Sequence, residues 1–144
     1  MVNLNRFVDK NLESSIDTLA ELVGLRTIAA DQDSPIESCV EFLARELQAL
    51  GARVETLRLS GARPLIFAEI PGRSRRSVMF YQHYDVQPAG PPDLWDSDPF
   101  ELTRRDDHLF GRGVADNKGN LAARLAALRV LLEAEGALPL TVRF

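Results

Sequence analysis

Two stretches of this sequence carry side chains whose types and spacing suit chemistry. In VMFYQHYDVQPAG, residues 78–90, an apolar run ends in His83 and Asp85, one residue apart, and breaks at Pro88. The run Val78-Met79-Phe80-Tyr81 is short, rich in β-formers and nearly continuous in apolar character, as in a strand covered on both faces. A strand has period two, so His83 and Asp85 leave the same face, roughly 6 to 7 Å apart along the chain. In LFGRGVADNKGN, residues 109–120, a glycine-rich turn delivers Asp116 to the start of a helical pattern. A helix amino terminus favours the ionised carboxylate, a good hard metal ligand, and His83 offers a matching imidazole. Asp85 then stands behind the histidine and holds it in position. All three would converge at the carboxyl end of the sheet, where open α/β folds place their ligand crevices.

Other chemistries fit less well. Gly111-Arg112-Gly113-Val114-Ala115-Asp116 nearly spells a dinucleotide fingerprint, but a carboxylate stands where the last glycine belongs and would repel a pyrophosphate. The sequence has no phosphate-cradling G-x-x-x-x-G-K-[ST] and no G-x-S-x-G nucleophile elbow. A histidine at a strand end is often a plain hydrogen-bonding residue, and an aspartate before a helix is often its cap. Spacing alone does not choose between these readings and a metal site.

The elements that must position these residues read as follows. Phe7, Val8, Leu12, Ile16, Leu19 and Val23 recur at helical spacing over 4–23, and Gly24 follows where a helix would stop. Ser34, Pro35 and Glu37 form a capping box before a second helix whose stripe is Ile36, Val40, Leu43, Leu47 and Leu50, ending at Gly51. Strands are predicted over 53–59, 65–70 and 77–82, separated by Ser60-Gly61 and Pro71-Gly72 turns. QPAGPPDLWDSDPF is a long loop that Trp95 and Phe100 pin to the domain. A hairpin over 101–105 and 108–110 turns at Asp106-Asp107, with His108 as an exposed polar residue. A third helix covers 118–135, with Leu121, Leu125, Leu128 and Leu132 on one side and Gly136 behind it, and a strand begins at 140. This order implies a layered α/β domain.

Composition narrows the function classes. The chain has 144 residues, 45% of them hydrophobic, which supports one globular domain with a real core. A net charge of -4 with both signs interspersed gives no field to gather nucleic acid or an anionic membrane. The single cysteine, Cys39, sits among Val40, Phe42 and Leu43 as a small apolar residue, in accord with a reducing cytoplasm. No run approaches a membrane span, and the first residues lack the apolar core of a signal peptide.

Three ordered blocks carry a resemblance. His83-Tyr84-Asp85-Val86-Gln87-Pro88-Ala89-Gly90, Trp95-Asp96-Ser97-Asp98-Pro99-Phe100-Glu101 and Leu109-Phe110-Gly111-Arg112-Gly113-Val114-Ala115-Asp116-Asn117-Lys118-Gly119 closely resemble the dinuclear-zinc metallopeptidases that include carnosine dipeptidases, acetylornithine deacetylase and glutamate carboxypeptidase. The resemblance implies a zinc-exopeptidase-like domain, a mixed sheet flanked by helices, of which residues 1–144 form the amino-terminal part. It implies His83 as a ligand of one zinc, Asp116 as the carboxylate bridging two zincs, Asp85 as the catalytic aspartate behind the histidine, and a cis peptide at Asp116-Asn117. Two zinc ions, with cobalt or manganese as substitutes, would activate a water for hydrolysis of an amide bond in a dipeptide or N-acyl amino acid. The wording of the first two blocks is closer to the dipeptidase branch.

The same resemblance places the general base, the remaining acidic ligand, a second histidine and an inserted dimerisation domain beyond Phe144. The 144-residue chain is therefore expected to be a fragment, with one imidazole and one carboxylate where a catalytic zinc has three protein ligands, and to be inactive alone, its parent a homodimer. The rival expectation is a noncatalytic module that keeps the fold and binds a protein partner.

Overall fold

The computed structural model describes residues 3–144. Helix α1 spans Asn5–Gly24, α2 Ile36–Ala49 and α3 Gly119–Glu135. Strands β1 (Arg53–Leu57), β2 (Leu65–Ile70), β3 (Ser77–Met79) and β6 (Thr141–Arg143) form one sheet in the order β1-β2-β6-β3. The sheet is mixed. β2 pairs antiparallel with β1 and β6, whereas β3 pairs parallel with β6, Val78 standing opposite Val142. A parallel pair needs a long crossover, and everything from Phe80 to Leu140, α3 included, lies in it.

Alternation in β2 buries Ala68 and Ile70, and these join Leu22 and Val23 of α1, Cys39, Phe42, Leu43 and Leu47 of α2, and Leu121, Leu125 and Leu128 of α3 in one core. The stripes read from the sequence are thus the buried faces of α2 and α3. In α1 only the carboxyl-terminal half follows suit: Leu19, Leu22 and Val23 are buried, but Val8 and Leu12 are exposed. Lys10 and Asn11 tie that open half of α1 to Glu133 of α3, at 3.1 and 3.2 Å. Among the described residues no helix is long and apolar enough to cross a membrane.

Three local expectations are corrected. The strand leading to His83 is not covered on both faces: β3 ends at Met79, lies at the sheet edge with β6 its only neighbour among the described residues, and leaves Val78, Met79 and Tyr81 exposed. Its apolar run signals a strand, but a run of four residues does not tell an interior position from an edge. Ser34 does not cap α2. Its hydroxyl donates to the carbonyl of Ile28 at 2.8 Å, fastening the α1–α2 connection, and Glu37 pairs with Arg58 at 2.7 Å. The first strand stops at Leu57, two residues before the predicted end.

The hairpin forms as read. β4 (Thr103–Arg105) and β5 (His108–Phe110) pair around Asp106, which takes a positive φ of 54°, and His108 is exposed. The long loop is pinned as expected. Arg112 lies over the Trp95 ring, whose Nε1 donates within the loop to the Ala89 carbonyl at 3.0 Å, and Arg26, which pairs with Asp98, lies over the Phe100 ring.

Burial raises the pKa of the Cys39 thiol to about 11, an effect that a neighbouring lysine, Lys118, only partly offsets. At pH 8 about one thiol in a thousand is then ionised. Ellman's reagent added to the folded chain at that pH should leave Cys39 unmodified over hours, and guanidinium should make it react at once; prompt reaction in the folded state would contradict the core described above. Removing Leu125, which is 1% exposed, tests the same core. Leu125→Ala should cost about 2 to 5 kcal/mol in a urea titration.

Candidate metal centre

Beyond β3 the chain leaves the sheet ladder and is held by side contacts. Val86 makes a parallel bridge with Ile28, its N–H donating to the Thr27 carbonyl and its carbonyl accepting from Ala29, both at 2.8 Å. Thr27 is fully buried, and its hydroxyl donates to the Tyr84 carbonyl at 2.6 Å. The Tyr84 hydroxyl in turn reaches the Pro64 carbonyl at 2.7 Å. With Tyr84 and Val86 turned inward, His83 and Asp85 both face the cleft, as the period of two requires.

Asp116 arrives from the opposite side. Gly113 takes φ 88°, Val114–Lys118 form a single wide turn that leads into α3, and the Asp116-Asn117 peptide is cis, as the resemblance implies. Asp116 thus stands in the turn before α3 and not in its first helical residue. Gly113 is required by more than its φ: a Cβ there would stand 2.6 Å from Cγ1 of Val86. The Lys118 N–H closes the turn on the Gly113 carbonyl at 2.8 Å.

The two segments meet at the imidazole. Nδ1 of His83 lies 3.1 Å from Oδ1 of Asp85 and 3.0 Å from the Asp85 carbonyl, and Nε2 lies 3.0 Å from Oδ1 of Asp116. Burial pulls the histidine pKa down, but the hydrogen bonds to Asp85 and Asp116 and the two negative charges outweigh it, so the net shift is upward. Both ring nitrogens face acceptors, so the imidazolium donates to each carboxylate; in the neutral ring with the proton on Nδ1, the Nε2 lone pair faces a carboxylate oxygen, and a cation would fit between the two. Two ligands of one tetrahedral zinc stand roughly 3.3 to 3.5 Å apart. The observed separation falls a few tenths of an ångström short of that, so small rotations would admit the ion.

His83, Asp85, Asp116, Gln87 and Arg112 border a cleft of about 400 Å³. Asp116 is the most open of the three acidic or imidazole groups, its side chain 84% accessible. Arg112 stacks over Trp95 and donates to the Ala89 carbonyl at 3.2 Å, while its Nε has no partner. Among the described residues no group of three or more His, Cys, Asp or Glu side chains is placed to hold one metal ion, and the candidate ligands at this centre are His83 and Asp116.

Two supporting residues escaped the sequence reading. Thr27 is one of five threonines in the sequence, and only its position between two helices hints at a structural task. Lys118 reads as an ordinary solvated helix start, yet it is fully buried and its Nζ donates to the Leu22 carbonyl at 2.5 Å. Burial drives its pKa down to about 8.

The chain sets an imidazole between two carboxylates just beyond the carboxyl end of β3 in a layered α/β domain. Known proteins match it in sequence and in fold. Residues 79–144 match the model of Peptidase family M20/M25/M40, and the chain carries part of a domain of that family. Beta-Ala-His dipeptidase of Rattus norvegicus is 33% identical over 159 aligned positions, which take in 98% of this chain and 32% of the rat protein. Succinyl-diaminopimelate desuccinylase of Bordetella avium is 34% identical, with 85% of this chain and 31% of that protein aligned. The crystal structure of human carnosine dipeptidase 1 superposes with a TM-score of 0.87 at 31% identity, covering 98% of this chain and 33% of that one. The chain therefore spans about a third of the length of the curated relatives it matches.

The glycine at 113 offers a direct test of the turn. Gly113→Ala forces an L residue into the left-handed region against Val86, and should cost about 1 to 3 kcal/mol of stability in a denaturant titration. An unchanged midpoint would mean that the turn does not hold the form described here.

Proposed function

We propose that this chain supplies the first half of a two-zinc amidohydrolase site, and that the whole protein hydrolyses an amide bond in dipeptides or N-acyl amino acids. The observation that carries this reading is the 3.0 Å approach of His83 Nε2 to Asp116 Oδ1, with Nδ1 already claimed by Asp85. His83 and Asp116 would hold the metal. Zinc bound there would supply Lewis acidity toward a scissile carbonyl and acidify a water at neutral pH.

The chain's own residues have definable tasks. Asp85 keeps the proton on Nδ1 and so keeps the Nε2 lone pair directed into the cleft. Asp116, exposed on its far side, retains an oxygen free for a second ion. The domain assignment follows the same line: residues 1–144 form the amino-terminal part of the catalytic domain, and the general base lies in another segment of the protein. The matches to a dipeptidase and a desuccinylase support the substrate class. A homodimeric whole protein, working in a reducing cytoplasm with zinc or, in its place, cobalt or manganese, completes the proposal; the buried Cys39 accords with that compartment.

Two measurements test it. Calorimetric titration of the 144-residue chain with zinc should show weak binding that His83→Ala abolishes, and two tight sites would contradict the assignment of only two ligands here. The whole protein should hydrolyse members of a panel of dipeptides and N-acyl amino acids, lose that activity to a chelator, and lose about 10- to 100-fold of its metal affinity on Asp85→Ala. Chelator-resistant hydrolysis would rule the mechanism out.

A further inference from the structure

Lys118 is the largest fully buried side chain of the described residues, and burying an ammonium is costly. What it does with that position is specific. Near the end of α1 the Leu25 N–H bonds to the Glu21 carbonyl and the Arg26 N–H to the Val23 carbonyl, so the Leu22 carbonyl is left without the backbone donor a continuing helix would bring. Nor does α1 have a basic residue in its last turn to meet the negative end of its dipole. Nζ of Lys118 supplies both, donating to Leu22 O from 96 residues further along the chain.

The other end of the same residue controls the Asp116 turn. The Lys118 N–H closes that turn on Gly113, and the lysine's Cγ and Cδ lie 3.4 and 3.3 Å from where a Gly113 Cβ would stand, filling the space beneath the loop. The Asp116 side chain has His83 as its hydrogen-bond partner and is otherwise open to solvent, so its placement depends on the turn that carries it.

We propose that Lys118 is a positioning residue, which anchors the Gly113–Gly119 turn to the carboxyl end of α1 and so sets Asp116 against His83. Its cost in desolvation is tolerated because an apolar side chain could fill the space but could not grip the Leu22 carbonyl. The inference deepens the proposed metal site and rests on that reading for its functional meaning, but its geometry is independent of any metal.

The test uses Lys118→Met, which preserves length and volume and removes the donor, and Lys118→Arg, which keeps a donor and a charge. In the metal-free chain at one fixed pH, the His83 ring nitrogen resonances of K118M should move to those of Asp116→Asn, the reference for a lost contact, while those of a folded K118R remain near wild type. Zinc affinity of K118M should fall about tenfold or more. A folded K118M with wild-type His83 resonances overturns the proposal, since the lysine would then only fill the core. Failure of both variants to fold overturns it too, because Lys118 would then sustain the whole domain and not this turn. If the wild-type chain binds no zinc, the metal reading fails by itself, and the resonance comparison still decides the role of Lys118.

Discussion

An imidazole can satisfy a carboxylate on each nitrogen only if both carboxylates are delivered to it, and here they come from segments with no sequence continuity. Asp85 is two residues from His83 and reaches it by local geometry. Asp116 is 33 residues away and reaches it because the sheet, the α1 terminus and the wide turn before α3 are all in place. Most of the architecture around the cleft serves that second delivery. Thr27 and Val86 fix one side, Gly113 and Lys118 the other; the first leans on the connection that follows α1 and the second on the last turn of α1 itself. The site is therefore a property of the packed domain and not of either motif alone.

Electrostatics at the cleft follow from the same delivery. Two carboxylates border it, and the one basic side chain on its rim, Arg112, is turned onto the Trp95 ring and the Ala89 carbonyl. The two carboxylates beside the imidazole raise its pKa and would favour a cation there.

Much of this was legible in the sequence because local rules carried it. The apolar stripes of α2 and α3 and the two-residue hairpin turn at Asp106-Asp107 each reflect a constraint within a few residues, and these formed as read. The proximity of His83, Asp85 and Asp116 came from period two and from the three motif blocks together. What was not legible depended on distant neighbours. The run 78–81 has the composition of an interior strand, but its place in the sheet is set by which strands flank it. Ser34 has the type and spacing of a cap, but the Ile28 carbonyl offered its hydroxyl a better partner. A lysine at 118 looks solvated until α1 is laid beside it.

The parallel pairing of β3 with β6 has a kinetic meaning. His83, Asp85, the long loop, the hairpin, Asp116 and α3 all lie inside the chain segment that this pairing closes. Contacts so far apart in sequence carry a larger loop-closure cost than the local helices and the β1–β2 hairpin, and by that cost they would form after them. The cleft is thus assembled when that large loop shuts, and whatever loosens β6 loosens the grip on both of its walls at once.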